Sequence, residues 1–329
     1  MEDFKKFVRL AIKQGASDLH LVAGALPTLR VHRKLVTLKK EPLSLDEVQK
    51  MVTALLGQTQ LKELGVSGDL DIGVSVEDVG LRVNIHKQMN GLGLAIRVIA
   101  SKIPTPEELQ FPDSLKQVAD LTDGLVIVSG PTGSGKSTTL AAMIEQMNQK
   151  STRHILTLED PIEYRFHASQ CLIEQRQLGV DFPSFEKGLR HILRQDPDVI
   201  VVGEMRDPET IALALTAAET GHLVLSTLHA PNASEAIERM VNVFEGAVQR
   251  QILLQLSATL RVIAAQRLLP GKAGGMVAAR EILISTTAIR SAIQSNNLSS
   301  MKSAIQTGKR YGMISMERAI EDLQKAGAI

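Results

Sequence analysis

The residues from Gly130 to Thr138 read GPTGSGKST, three glycines, one lysine and four hydroxyl side chains at GxxxxGK[ST] spacing. A turn of this composition presents a row of backbone N–H groups, and polyphosphate is the chemistry it suits. Gly130, Thr132, Gly133, Ser134, Gly135, Lys136, Ser137 and Thr138 are expected to wrap the anion. Lys136 would reach the β- and γ-phosphates of a nucleotide, and the Ser137 hydroxyl would take a place on Mg²⁺. The context supports the motif. The apolar run Leu125-Val126-Ile127-Val128 precedes it, and Leu140, Met143, Ile144 and Met147 follow at helical spacing.

Three further segments carry groups suited to phosphoryl transfer, which asks for positioning and charge neutralisation more than covalent chemistry. Asp198-Val199-Ile200-Val201-Val202-Gly203-Glu204 is an apolar strand ending in an acid. On a parallel strand neighbouring the phosphate loop, Glu204 would face Mg²⁺ and the attacking water. His154-Ile155-Leu156-Thr157-Leu158 leads into Glu159-Asp160-Pro161-Ile162-Glu163. These acids suit a metal and water site, and equally a solvated turn fixed by Pro161. His222-Leu223-Val224-Leu225-Ser226-Thr227-Leu228-His229 is a strand bracketed by histidines, whose far end, Thr227 or His229, could sense the γ-phosphate. No third ligand stands at metal-binding spacing from the pair. Nearer the N-terminus, Arg82 and Arg97 lie opposite the apolar alternation of their strands. They are either two solvated charges or cations that close onto the triphosphate.

The elements that must position these groups fall into two domains, as 329 residues require. Phe4, Phe7, Val8, Ala11 and Ile12 mark a helix that Gly15 can end. Short strands follow at 18–22, 29–31 and 35–38. Ser44 and Glu47 form a capping box for a second helix, with Val48, Met51, Val52, Leu55 and Leu56 as its stripe and Gly57 as its stop. Three alternating runs, at 70–76, 81–85 and 94–98, with Asn90-Gly91 between the last two, read as an antiparallel meander. Residues 1–100 thus form an α+β domain. Pro104, Pro106 and Pro112 stiffen a linker at 101–114. Over 115–329, strands at 125–129, 154–158, 199–203 and 222–227 alternate with helices at 136–148, 184–194 and 208–219. That alternation is the mark of an α/β domain with a mostly parallel sheet covered on both faces. Residues 285–329 lose the strand signal and read as a helical appendix.

Composition narrows the classes further. Hydrophobic residues at 44% against 22% charged fit a soluble globular chain. A net charge of +1 and the absence of tryptophan argue against nucleic acid as a partner. The single cysteine, Cys171, excludes an internal disulfide and suits a reducing cytoplasm. No segment has the length and apolarity of a signal sequence or membrane span, so any membrane role is expected to run through partners.

GPTGSGKST, LTLEDPIEY, DPDVIVVGEMRD and ALTAAETGHLVLSTLHA, in that order, resemble the secretion-ATPase superfamily, and within it the PilT-like type IV pilus retraction ATPases. The likeness also takes in QGASDLHL at 14–21 and AIQTG at 304–308. It implies a PAS-like N-terminal domain, a RecA-like ATPase domain, ATP at the domain junction, a homohexameric ring and an inner-membrane pilus platform protein as partner. It further implies a place at the inner face of the cytoplasmic membrane. On matching positions the family's roles fall on Lys136, on the acids Glu159, Asp160 and Glu163, on Glu204, on His222 and His229, and on Arg82 and Arg97. Glu163 and Glu204 would join Ser137 at the metal, and whether the arginines act in cis or in trans stays open. The four-cysteine metal loop and extra N-terminal region usual in extension and type II secretion ATPases are missing, which favours the retraction branch. Two positions depart from that branch. Ala288-Ile289-Arg290-Ser291-Ala292-Ile293-Gln294-Ser295 lacks the acidic end of an AIRNLIRE-like segment, and His32-Arg33 stands where an Asp-Gly turn is common. An accessory paralogue, an assembly ATPase, a nucleic-acid translocase and a nucleotide-gated scaffold are the competing readings.

Overall fold

The computed structural model describes residues 2–31, 34–38, 41–76, 79–98 and 103–329. His32-Arg33 and the first two residues of the expected linker lie outside them. The chain divides into two compact units. One holds Met1–Lys102 with Glu163–Arg165, the other Ile103–Ile162 with Phe166–Ile329.

The first unit contains α1 (Glu2–Lys13), β1 (Asp18–Val22), β2 (Thr28–Val31), β3 (Lys34–Thr37), α2 (Leu45–Leu55), α3 (Gln58–Ser67), β4 (Asp69–Val76), β5 (Val79–Gln88) and β6 (Gly91–Val98). Its six strands form one antiparallel sheet in the order β3-β2-β1-β6-β5-β4. Alternation is the cause. Leu19 and Leu21, Leu81, Val83 and Ile85, and Leu94 and Ile96 turn to one buried face. There they meet Phe4, Val8 and Ala11 of α1 and Val48, Met51 and Val52 of α2. The Ser44–Glu47 capping box forms as expected, with both reciprocal bonds present. Gly57 does not simply end α2. It is the N-cap of α3, whose weak apolar pattern buries Leu64 in its interior.

The second unit contains α4 (Asp113–Lys116), β7 (Gly124–Ser129), α5 (Lys136–Lys150), β8 (His154–Glu159), β9 (Leu172–Gln177), α6 (Phe185–Ile192) and β10 (Val199–Val202). It continues with α7 (Pro208–Glu219), β11 (Leu223–Leu228), α8 (Ala233–Val241), α9 (Gly246–Thr259), β12 (Leu260–Pro270), β13 (Met276–Ile284), α10 (Thr287–Gln294), α11 (Leu298–Thr307) and α12 (Met316–Lys325). The seven strands run in the order β13-β12-β7-β11-β10-β8-β9. All are parallel except the edge strand β13. Both faces are covered, so the central strands are buried residue after residue and mostly apolar rather than alternating. Leu125, Ile127, Ile200, Val202 and Val224 pack towards α6, α7, α8 and α9. Val126, Val128, Val199, Val201, Leu223 and Leu225 pack towards α5. Asp207 caps α7 through the Thr210 N–H, with Pro208 at the first helical position.

Candidate nucleotide site

In a parallel sheet every strand delivers its C-terminal end to the same edge, and that geometry builds the site. β7 ends at Ser129 and passes into the glycine loop, which enters α5 at Lys136. Gly130 has φ +147, and a Cβ there would stand 2.4 Å from the Gln266 carbonyl oxygen, so only glycine fits. The N-cap of α5 is Gly135, which supplies no side-chain acceptor, whereas Asp207 and Asn232 cap α7 and α8. The first-turn N–H groups of α5 are thus offered to an anion. Lys136 is buried, and its Nζ donates to the carbonyls of Gly130 at 2.9 Å and Pro131 at 3.2 Å, which holds the ammonium over the loop.

Glu204 follows β10 at the same edge. β10 is not the neighbour of β7, contrary to expectation, because β11 lies between them. Two strand spacings are about 10 Å, which leaves room for a terminal phosphate and a water between loop and carboxylate. A close approach sets the turn: Gly203 N–H donates to Leu158 O at 2.7 Å, and a Cβ on Gly203 would lie 3.1 Å from that oxygen. The Thr227 hydroxyl donates to the Gly203 carbonyl at 2.6 Å, a bracing role in place of the expected phosphate contact. His229 Nε2 stands 3.4 Å from Glu204 Oε1, and Arg206 Nη2 stands 2.8 Å from Oε2. The Glu204 side chain is 16% exposed. Arg206 is held above the ordinary guanidinium pKa, first by its hydrogen bond to Glu204, then by that charge and by Asp160. Arg206, within GEMRD, is a residue that sequence reasoning misses.

The remaining expected residues divide. Glu159 accepts from the Thr157 hydroxyl at 2.7 Å and from Gln175 Nε2 at 3.0 Å at the end of β8. Glu163 is exposed and groups with the first unit rather than with the edge that carries Glu204. Among the described residues, no three His, Cys, Asp or Glu side chains gather as metal ligands. His222 is a correction. It precedes β11 and so stands at the opposite edge of the sheet, about 20 Å of strand from the loop end of β11. Its Nδ1 lies 3.0 Å from the Ala217 carbonyl and 3.2 Å from Thr220 Oγ1, a local contact at the end of α7. In the first unit Arg82 and Arg97 are direct cross-strand partners. Asp71 lies 3.6 Å from Arg82 and Asp18 lies 3.2 Å from Arg97.

Beside the loop lies a cavity of about 220 Å³, walled by Gln110, Gly135, Thr138, Leu268, Met276 and Arg280. Burial alone pushes the Arg280 guanidinium down to about 10. It donates to the Leu109 carbonyl at 2.8 Å and stacks 5.1 Å above the Phe111 ring.

A glycine loop between a buried strand and an uncapped helix, facing a carboxylate two strands away, defines a P-loop ATPase. The chain belongs to the type II/IV secretion system protein family, whose model matches residues 1–318. It is 43% identical to the type IV pilus retraction ATPase PilT of Pseudomonas aeruginosa, covering 99% of this chain and 95% of that protein. It is 41% identical to a twitching motility protein of Neisseria gonorrhoeae, covering 94% and 83%. The crystal structure of the pilus retraction motor PilT with bound ADP superposes with a TM-score of 0.92 at 41% identity, covering 99% and 94%.

Proposed function

We propose that this chain is a homohexameric motor that spends ATP to retract a type IV pilus, with a PAS-like first domain and a RecA-like second one. End-to-end identity of 43% with a pilus retraction ATPase is the observation that carries the reading. Lys136 and the loop N–H groups hold the β- and γ-phosphates, and the cavity beside Thr138 takes the base. The donor set suits Mg²⁺, which keeps its waters and takes one or two protein oxygens beside those of phosphate rather than a full protein cage. Ser137 and Glu204 would hold it, and it would neutralise charge between the β- and γ-phosphates. Glu204 orients and deprotonates the attacking water, with His229 and Arg206 fixing its carboxylate. Glu159 and Asp160 keep the neighbouring edge acidic.

Arg82, Arg97 and Glu163 all belong to the first unit; we assign the two arginines to the triphosphate and Glu163 to its Mg²⁺, from the same subunit or a neighbour. Each arginine lies beside one aspartate in the free protein, Asp71 for Arg82 and Asp18 for Arg97, and would exchange that partner for phosphate. No described helix is long and apolar enough to cross a membrane. Work on a pilus then requires an inner-membrane platform protein as partner, at the cytoplasmic face. Deleting the gene should leave cells piliated but immobile, counted by electron microscopy and twitching assays. Loss of pili would mean assembly instead. One observation favours an accessory paralogue. The departures at Gln294 and Ser295 fall on the exposed side of α10, while Ile289, Ala292 and Ile293 keep its buried side, so a contact surface differs and the fold does not. In that case deletion would weaken retraction under load without abolishing it.

A further inference from the structure

Gln266 lies on β12, which pairs in parallel with β7 and continues past the end of that strand. It is 1% exposed, and its carboxamide spans two parts of the phosphate loop. Nε2 donates to the Ser134 carbonyl at 2.7 Å, and Oε1 accepts from the Thr139 hydroxyl at 2.9 Å. Its own backbone carbonyl abuts Gly130. One side chain therefore ties the middle of the loop to the first turn of α5. The carboxamide can face only one way. A carbonyl oxygen only accepts, so the NH₂ must face Ser134, and the amide oxygen then faces the threonine hydroxyl.

The consequence lies in the peptide between Ser134 and Gly135. In a trans peptide the C=O and the following N–H point in opposite directions. Holding the Ser134 carbonyl against β12 therefore aims the Gly135 N–H away from β12, to the concave side of the loop. Gly135 has φ +86 and no Cβ to restrain it, so the loop's own sequence does little to prevent that peptide from turning over. Turned over, it would present a carbonyl oxygen to the phosphate in place of a donor. The Ser134 hydroxyl is buried with no protein partner, so the loop holds a second donor in reserve on the same segment.

We propose that Gln266 is a positioning residue that presets the phosphate loop, acting on nucleotide through the Ser134–Gly135 peptide. The proposal rests on the loop being the phosphate site. The test uses the full-length protein, MgADP titration by calorimetry, steady-state ATP hydrolysis and thermal melting without nucleotide. Gln266→Leu keeps most of the volume and removes both bonds. It should weaken MgADP about tenfold and raise KM similarly, with kcat changed less, as loss of a preset donor implies. Melting should fall by only a few degrees. Thr139→Val should give a smaller loss and Thr139→Ser none. Gln266→Leu with Thr139→Val should be no worse than Gln266→Leu alone, because both break one bridge. Wild-type affinity and KM in Gln266→Leu would overturn the proposal, as would full additivity in the double variant. If Gln266→Leu does not fold, equal affinities for Thr139→Val and Thr139→Ser overturn it. Lys136→Ala separates the layers. Wild-type affinity there removes the loop as the phosphate site and this proposal with it. Lost affinity there beside an indifferent Gln266→Leu leaves the site and removes only the proposal.

Discussion

Glu204 sits between two cationic or cation-capable side chains, Arg206 at 2.8 Å and His229 at 3.4 Å, and is largely shielded from water. An acid so placed is held in one orientation, which a general base requires. Glu204→Gln keeps the shape and removes the charge. Turnover, read as phosphate release, should fall about 10²–10⁴-fold, while ADP affinity measured without divalent metal stays within a few-fold because the loop around Lys136 is untouched. Turnover near wild type would assign the base elsewhere. Glu281 offers a second test at this scale. Burial, its leading influence, raises its pKa against the Ala233 and Met316 N–H groups that favour the anion. A raised carboxyl contributes stability that is fully present below the ordinary value of about 4.3 and lost as pH rises through the folded value. Glu281→Gln should remove that part of the slope. Urea denaturation of both proteins from pH 4 to 7 should show the stability gap changing in the variant's favour as pH rises, and a constant gap would refute it.

At the scale of elements, the ends of β8 and β10 meet so closely that Gly203 is the only residue that fits without a shift. Gly203→Ala places a methyl 3.1 Å from the Leu158 carbonyl. Overpacking of this kind costs about 1–3 kcal/mol, and the yielding segment carries Glu204. Turnover should drop more than stability alone explains, which kcat measured well below the melting temperature would reveal. The same strands show what the sequence could convey. β7, β8, β10 and β11 were legible because burial on both faces demands predominantly apolar runs, broken only by Thr157 in β8 and Ser226-Thr227 in β11 before their ends, and α7 because Asp207-Pro208 announces its start. β9 was not, since LIEQRQ is an edge strand with polar faces. β12 was not either, since the apolar residues of α9 run into it with no glycine or proline between. Gln266 was lost with that strand, because a lone glutamine carries no signal until its neighbours are known. Strand order was likewise silent, so β11 was not foreseen between Lys136 and Glu204. The place of His222 follows from strand direction alone. A strand running towards the loop brings the residue after it to the site, not the residue before it.

At the scale of the whole molecule, the described residues form separate cores. One draws only on residues 4–98, the others only on residues from 109 onwards. Units of roughly 100 and 220 residues with their own cores can melt independently, so calorimetry should resolve two transitions. A ligand that binds only a folded unit stabilises that unit by about 2.7 kcal/mol at a hundred times its Kd. MgADP held by the loop around Lys136 should therefore raise the transition of the larger unit. If Arg82 and Arg97 also engage the nucleotide, a nonhydrolysable ATP analogue should raise the smaller unit's transition too. The double variant Arg82→Ala with Arg97→Ala should cancel that second shift and leave the first. A smaller-unit transition indifferent to the analogue in the wild-type protein would reduce the two arginines to surface partners of Asp71 and Asp18. Coupling between the cores through the nucleotide is what a motor needs, because cleavage can move one unit against the other only if both feel the phosphate that is lost.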